Sequence, residues 1–284
     1  MPFTPFQETD NSRTSPVKSR EKQWVAADLA GGYSADAEIY ERTWAPVLRP
    51  YGRLLLERLP LTPARRVLDA GAGVGTLLAD LQAAAPDATV VAVDLSAGML
   101  GRAPASHPRA VMDLGRLGLM PCTFDAVVMA FMLFHLPDPL QALREALRVL
   151  APGGAAGTIT WDGEPDFPAQ NAFLEELDAR GAEPADPAFT NHEPVDSPEK
   201  MRALLEAAGF ESAQTWTARF SHPYDPAQFV AIRTARGSTR RRFESLDPGG
   251  RATFLDRVGA RLSGMTQADF VDRAELTYAI AVRG

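Results

Sequence analysis

From residue 65 the chain alternates between short runs that are apolar throughout and longer stretches whose apolar residues recur at helical spacing. The runs are RVLDA, TVVAVD, RAVMD, FDAVVMA and GAAGTITW, and the intervening helical patterns are VGTLLADLQAAA, SAGMLGRA and DPLQALREALRVL. A strand that is apolar on both faces must be covered on both, and alternation with amphipathic helices supplies the covers. The pattern predicts an α/β fold with a doubly wound parallel sheet.

Upstream, Ile39, Tyr40, Trp44, Val47, Leu48, Tyr51, Leu54, Leu55 and Leu59 fall at helical spacing, with Ser34 as a candidate N-cap and Pro46 and Pro50 as interruptions. Two or three helical pieces are expected over residues 21–60. Residues 1–20, rich in Pro, Ser and Thr without an apolar period, are expected to be a disordered tail, with order beginning near Trp24. Helical patterns also follow the fifth strand, near 163–196, and fill the stretch 222–274 before a final strand, ELTYAIAVRG.

The loop between the first strand and its helix carries Gly71, Gly73 and Gly75. A dinucleotide loop, G-x-G-x-x-G, would place its last glycine where Thr76 stands, and a phosphate loop would need a Gly-Lys pair that is absent. Asp69 enters the turn, where its charge repels a pyrophosphate and attracts an ammonium group. Free N–H groups at the start of the following helix, Val74 to Leu77, suit a small carboxylate. Asp94 closes the second strand, where doubly wound folds place an acid on ribose hydroxyls. A ribose joined to an amino-acid end describes S-adenosylmethionine.

With VLDAGAGVG, VVAVDLSAGML, VMDLGRLGL, FDAVVMAFMLFHLPDPLQALREALRVLAPGG, LLEAAGF and LTYAIAVRG in this order, the chain resembles the class I S-adenosylmethionine-dependent methyltransferases of the ubiquinone/menaquinone C-methylase type. The resemblance implies a seven-stranded Rossmann-like sheet under N-terminal lid helices. In that fold the last two strands form a short hairpin, so the helices before the final strand are an inserted cap on a single domain, 61–284. It implies that Asp69 and the backbone of Gly71, Ala72, Gly73 and Gly75 hold the methionine end, and Asp94 the ribose. Leu95 and Met99 would border the adenine and Asp113 would take its amino group; Met112, Leu114 and Phe131 complete the implied cofactor set. Met112 stands where the family usually has glycine before the acid.

Methyl transfer needs alignment above all, and a base only for a weak nucleophile. His135, just past the fourth strand, is the candidate base. Tyr33, Tyr40 and Trp44 of the lid, together with Trp161, His192 and His222, are candidate pocket residues, with Phe131 and Phe167 on the wall; His107 reads as a loop residue.

Composition narrows the partners. The net charge of −7 argues against contact with a phosphate backbone, and RGSTRRR at 236–242 reads as a solvated helix face. No uninterrupted apolar run is long enough for a membrane span and no signal-peptide pattern is present, so a cytoplasmic protein is expected. Cys122, the single cysteine, reads as a packing residue without a role, and no metal is expected. The apolar FMLFHLPD loop offers no magnesium ligands, and its Asp138 is placed to N-cap a helix with Pro139 in first position. The expected activity is methyl transfer to an O, C or N atom of a small organic molecule, in bacterial secondary metabolism. The alternative is a methyltransferase-like protein that uses the bound cofactor for a cyclisation or decarboxylation. A monomer and a homodimer are both compatible with the pattern.

Overall fold

The computed structural model describes residues 16–184 and 191–284, with side chains from Ala27 onward. Adjacent residues of the strands turn to opposite faces. Leu68, Val127 and Met129 enter one core, and Val67, Ala126 and Val128 enter the other. Each core therefore needs its own layer of helices, and the chain winds twice across the sheet to supply them.

The elements run α1 (Pro16–Thr43), α2 (Ala45–Leu56), β1 (Arg66–Ala70), α3 (Leu78–Ala84), β2 (Thr89–Asp94), α4 (Ala97–Arg102), β3 (Arg109–Val111), β4 (Phe124–Ala130), α5 (Pro139–Val149), β5 (Leu150–Trp161), α6 (Pro168–Ala179), α7 (Pro198–Ala208), β6 (Ser212–Pro223), α8 (Pro226–Ala235), α9 (Gly237–Ser245), α10 (Pro248–Leu262) and β7 (Val271–Val282). The seven-stranded sheet has the order β3-β2-β1-β4-β5-β7-β6. Strands β1 to β5 pair in parallel, while β7 runs antiparallel to both β5 and β6. Helices α2, α3 and α4 cover one face, with Leu55, Leu78, Leu81 and Leu100 buried there. Helices α5 and α7 cover the other through Leu143, Ala146, Met201 and Leu205. A third core, built on Phe173, Phe229, Phe254 and Phe270, joins α6 to the α8–α10 cap.

Several expectations change. Residues 1–15 of the expected tail, and the side chain of Trp24, lie outside the described residues; helix α1 already begins at Pro16, eight residues before Trp24. Ser34 caps nothing in its own helix, because it sits within α1. Its hydroxyl reaches the start of α4 instead, 2.8 Å from Ser96 Oγ and accepting the Gly98 N–H at 3.2 Å. Ser96 itself N-caps α4 by accepting the Met99 N–H. A methyl group on Gly98 would stand 2.7 Å from Ser34 Cα, so the two backbones meet only because residue 98 has no side chain. Pro46 falls in the first turn of α2, and Pro50 lies inside that helix without ending it. Cys122 is exposed, in a turn with φ of 53°.

The arginine run is not a solvated face. Helix α9 lies between α1 and α6, which buries Thr239 and Arg242. Arg242 donates to Asp178 and to the Glu183 carbonyl, and Arg240 pairs with Asp36 at 3.0 Å and Glu244 at 2.8 Å. Arg242 thus reaches α6 through Asp178, and Arg240 reaches α1 through Asp36. Asp138 N-caps α5 by accepting the Gln141 N–H.

Because the α1–α4 contact has no room at residue 98, Gly98→Ala is expected to lower unfolding stability by about 1–3 kcal/mol. Urea titration measures the loss. Limited proteolysis of the same variant should cut α1 first, since the added methyl group pushes that helix away from α4.

Candidate active site

The site grows from the carboxyl ends of β1 and β2. The chain leaves β1 with the Gly71 and Ala72 N–H groups both donating to the Val93 carbonyl, at 2.8 and 3.0 Å. The turn then takes φ of 85°, 55° and 77° at Gly71, Gly73 and Gly75, values that favour glycine. Asp94 ties the loop to the next strand: one oxygen accepts the Gly73 N–H and the other the Ser96 N–H, each at 2.8 Å. The turn persists to Leu77, so α3 begins at Leu78 and not at Val74 as the periodicity suggested. The Gly75 N–H is already engaged by the Ala72 carbonyl.

Above this loop lies a cavity of about 760 Å³. Asp69, Gly71, Ala72, Gly73, Asp94, Leu95, Met99, Asp113, Leu114, Phe131 and His135 line it, as do Tyr33 and Tyr40 from α1. Two members of the expected set lie elsewhere. Gly75 is packed against Leu78, Ala103 and Pro104, and Met112 turns its side chain onto the core beneath the sheet. Leu29, Thr76, Ser96 and Gln141 also line the cavity and had no signal of their own. Thr76 had served only to exclude a dinucleotide loop; Leu29 and Gln141 arrive from helices distant in sequence.

The cavity is acidic and buried at its base. Asp69 is 3% exposed. Burial, and secondarily the neighbouring Asp94, push its pKa up to about 7. Burial also raises the pKa of Asp94, against the opposing hydrogen bonds from Ser96, Gly73 and Leu95. At the rim the Tyr33 hydroxyl lies 2.8 Å from His135 Nε2. Burial holds the Tyr33 phenol well above its usual range and moves Tyr40 to about 12, so both keep their protons. Phe131, directly after β4, has φ of 57°, a costly conformation for an aromatic residue, and it aims the ring at the cavity wall.

A second chamber of about 220 Å³ adjoins the first. Leu29, Tyr33, Tyr40, Leu48, Phe131 and His135 line both. Trp44, Trp161 and His192 line the second chamber alone; Trp44 stacks on Trp161 at 6.3 Å, and His192 stacks on Phe134 and lies 3.3 Å from Glu164. His222 lines neither chamber, because it packs behind Trp44 and Tyr224. Phe167 is not on the wall either, being buried between Tyr224 and Phe229 in the cap core. The cap contributes Tyr224, Arg233 and Arg236, none of them anticipated from the sequence.

Residues 68–157, which carry the loop, Asp94, Asp113 and His135, match the family described as "Methyltransferase domain". Residues 68–157 are a methyltransferase domain of the S-adenosylmethionine-dependent kind. An uncharacterised protein of Mycobacterium tuberculosis is 29% identical to this methyltransferase over 236 residues, covering 75% of this chain and 82% of its own length. A demethylmenaquinone methyltransferase of Renibacterium salmoninarum is 38% identical over 132 residues, covering 45% of this chain and 55% of that protein. The fold of the YcgJ protein of Bacillus subtilis superposes with a TM-score of 0.54 at 16% identity, covering 82% of this chain and 98% of that one.

The cavity of this methyltransferase fits its cofactor, S-adenosylmethionine, on two observations. A buried carboxylate, Asp69, faces a cavity lined by no lysine or arginine among the described residues, which suits the ligand's positive charge. A Cβ at residue 71 would stand 2.8 Å from Met132 Cγ, so the loop approaches the cavity as bare backbone.

Asp69 gives a stability test in the cofactor-free protein. Its folded pKa of about 7 lies above the ordinary 3.8, so the folded state holds more protons between those values and stability falls as pH rises through that window. Asp69→Asn is expected to raise the thermal midpoint at pH 8, where the wild-type carboxyl is ionised in a dry site. Calorimetry at pH 5, where the folded carboxyl is protonated, should find a smaller difference between the two proteins than at pH 8.

Proposed function

We propose that the enzyme methylates a small organic molecule held in the second chamber. The observation that carries this is the shared wall: the two cavities meet at Tyr33, Tyr40, Phe131 and His135. When bound, S-adenosylmethionine supplies a methyl group on a sulfonium, already activated toward a nucleophile. What remains for the protein is to bind, orient and exclude water, and alignment alone contributes roughly 7–11 kcal/mol.

The Asp94 carboxylate accepts backbone N–H groups on both oxygens and retains acceptor capacity for a ribose hydroxyl. Asp69 faces the ammonium of the methionine end, and Leu95, Met99 and Asp113 border the adenine. Helix α1 lies across α4 and closes the cavity against solvent with Tyr33 and Tyr40. His135, oriented by the Tyr33 hydroxyl, is the group positioned to take a proton from an acceptor at the shared wall. A chamber of about 220 Å³ is smaller than the roughly 300–1,000 Å³ of drug-sized sites and suits a small metabolite.

Isothermal titration with S-adenosylmethionine and S-adenosylhomocysteine is expected to show micromolar binding that weakens by about tenfold or more in Asp94→Ala, the loss of one well-paired polar contact. Absence of heat from either ligand would sink the reading. With an acceptor in hand, His135→Ala should lower kcat by about 100-fold while leaving S-adenosylhomocysteine affinity unchanged, as removal of a general base requires. Turnover without formation of S-adenosylhomocysteine would select a cyclisation or decarboxylation instead.

A further inference from the structure

We infer that the second chamber is built for a carboxylate-bearing acceptor, a small flat acid anchored by Arg233 with its methylated atom at the opposite end. The inference rests on the reading of that chamber as the acceptor site.

Arg233, near the end of α8, is 8% exposed and lines the second chamber but not the cofactor cavity. Its guanidinium lies over the rings of Tyr224, Phe229 and Phe167 at 5.1, 5.5 and 5.8 Å. Those ring faces attract a cation yet offer no lone pairs in the plane of the guanidinium. Its Nε and Nη2 have no hydrogen-bond partner, and among the described residues no carboxylate stands within ion-pair distance of it. Burial lowers its pKa, so the neighbouring acids do not compensate for the water it has lost.

Two of the acids facing the chamber are committed to other partners, and the third stands beyond ion-pair distance of Arg233. Asp36 accepts the Gly237 N–H and pairs with Arg240 at 3.0 Å. Glu164 pairs with His192. Asp272 is 3% exposed; burial pushes its pKa up to about 6 while Arg233 pulls against that rise, and the two do not reach ion-pair distance. A second guanidinium, Arg236, covers Trp44 at 4.5 Å with its Nε buried and unpartnered. A buried cation without a hydrogen-bonded counterion is costly, and a ligand carboxylate supplies two acceptor oxygens in the plane that an arginine fork matches.

Geometry fixes the rest of the molecule. Trp44, Trp161 and Tyr224 line the same chamber as Arg233, and their rings suit a flat aromatic body. Arg233 belongs to the chamber alone, whereas His135 and Phe131 belong to both cavities. An acid held by Arg233 therefore turns its other end toward the methyl-bearing cavity, and the carboxylate itself is not the acceptor.

The test is isothermal titration of the full chain, with S-adenosylhomocysteine present, using benzoate, 4-hydroxybenzoate and trans-cinnamate beside their amides and phenyl phosphate. The acids are expected to bind about tenfold tighter than the amides, the difference a charge-assisted pair makes. Arg233→Gln should abolish that preference without changing S-adenosylhomocysteine affinity, and Arg233→Lys, which keeps the charge but loses the planar fork, should fall between. The wild-type comparison of acid with amide decides the matter even where a variant fails to fold: equal affinities overturn the proposal. Phenyl phosphate binding tighter than benzoate also overturns it, as does an acid preference that survives Arg233→Gln. Failure of the wild type to bind S-adenosylhomocysteine overturns the methyl-transfer reading instead, so the two failures are distinguishable.

Discussion

Asp69 and Asp94 end adjacent parallel strands and face the same cavity, and burial resists ionisation of both. Two carboxylates in a dry space are tolerable only where backbone donors or a cation answer them. Asp94 is answered from within, by the N–H groups of Gly73 and Ser96, and those bonds fix the glycine loop to the start of α4. Asp69 faces the cavity, where under the proposed function it meets the ligand's ammonium group. The loop's shape and the demand for a positively charged ligand thus share one electrostatic origin.

Helix α1 depends on that arrangement in turn. Ser96 joins Asp94 to the lid, because its N–H bonds the carboxylate and its hydroxyl meets Ser34 of α1. The lid then carries Tyr33 to His135 across the mouth of the cavity. One continuous set of hydrogen bonds runs from the loop through the lid, and it positions the candidate base. The same helix presents Asp36 to α9, so lid and cap are also coupled by charge.

The cap changes the chemistry available at the far side of His135. Helices α8 and α9 and the residue between them bring three arginines, Arg233, Arg236 and Arg241, to a chamber that Trp44, Trp161 and Tyr224 also line. The first cavity has acids and, among the described residues, no arginine in its lining, whereas the second chamber has both. The match to the Renibacterium methyltransferase covers 45% of the chain, and the family match stops at residue 157, ahead of these helices.

The sequence by itself determined the strand and helix alternation, the loop, and the acids that end β1, β2 and β3. Each of these rests on local rules: apolar runs buried on both faces, glycines where φ is positive, an acid at a strand end. It also placed His135 and Asp138 correctly on the segment after β4. It misread Ser34, whose partner is 62 residues away in Ser96, and the arginines of 236–242, whose burial depends on α1 and α6 closing over them. It passed over Arg233 altogether, since a lone arginine on a helix carries no period and no motif. Only the tertiary structure decided which charges lost their water, because desolvation is a property of everything packed around a group and not of its neighbours in the chain.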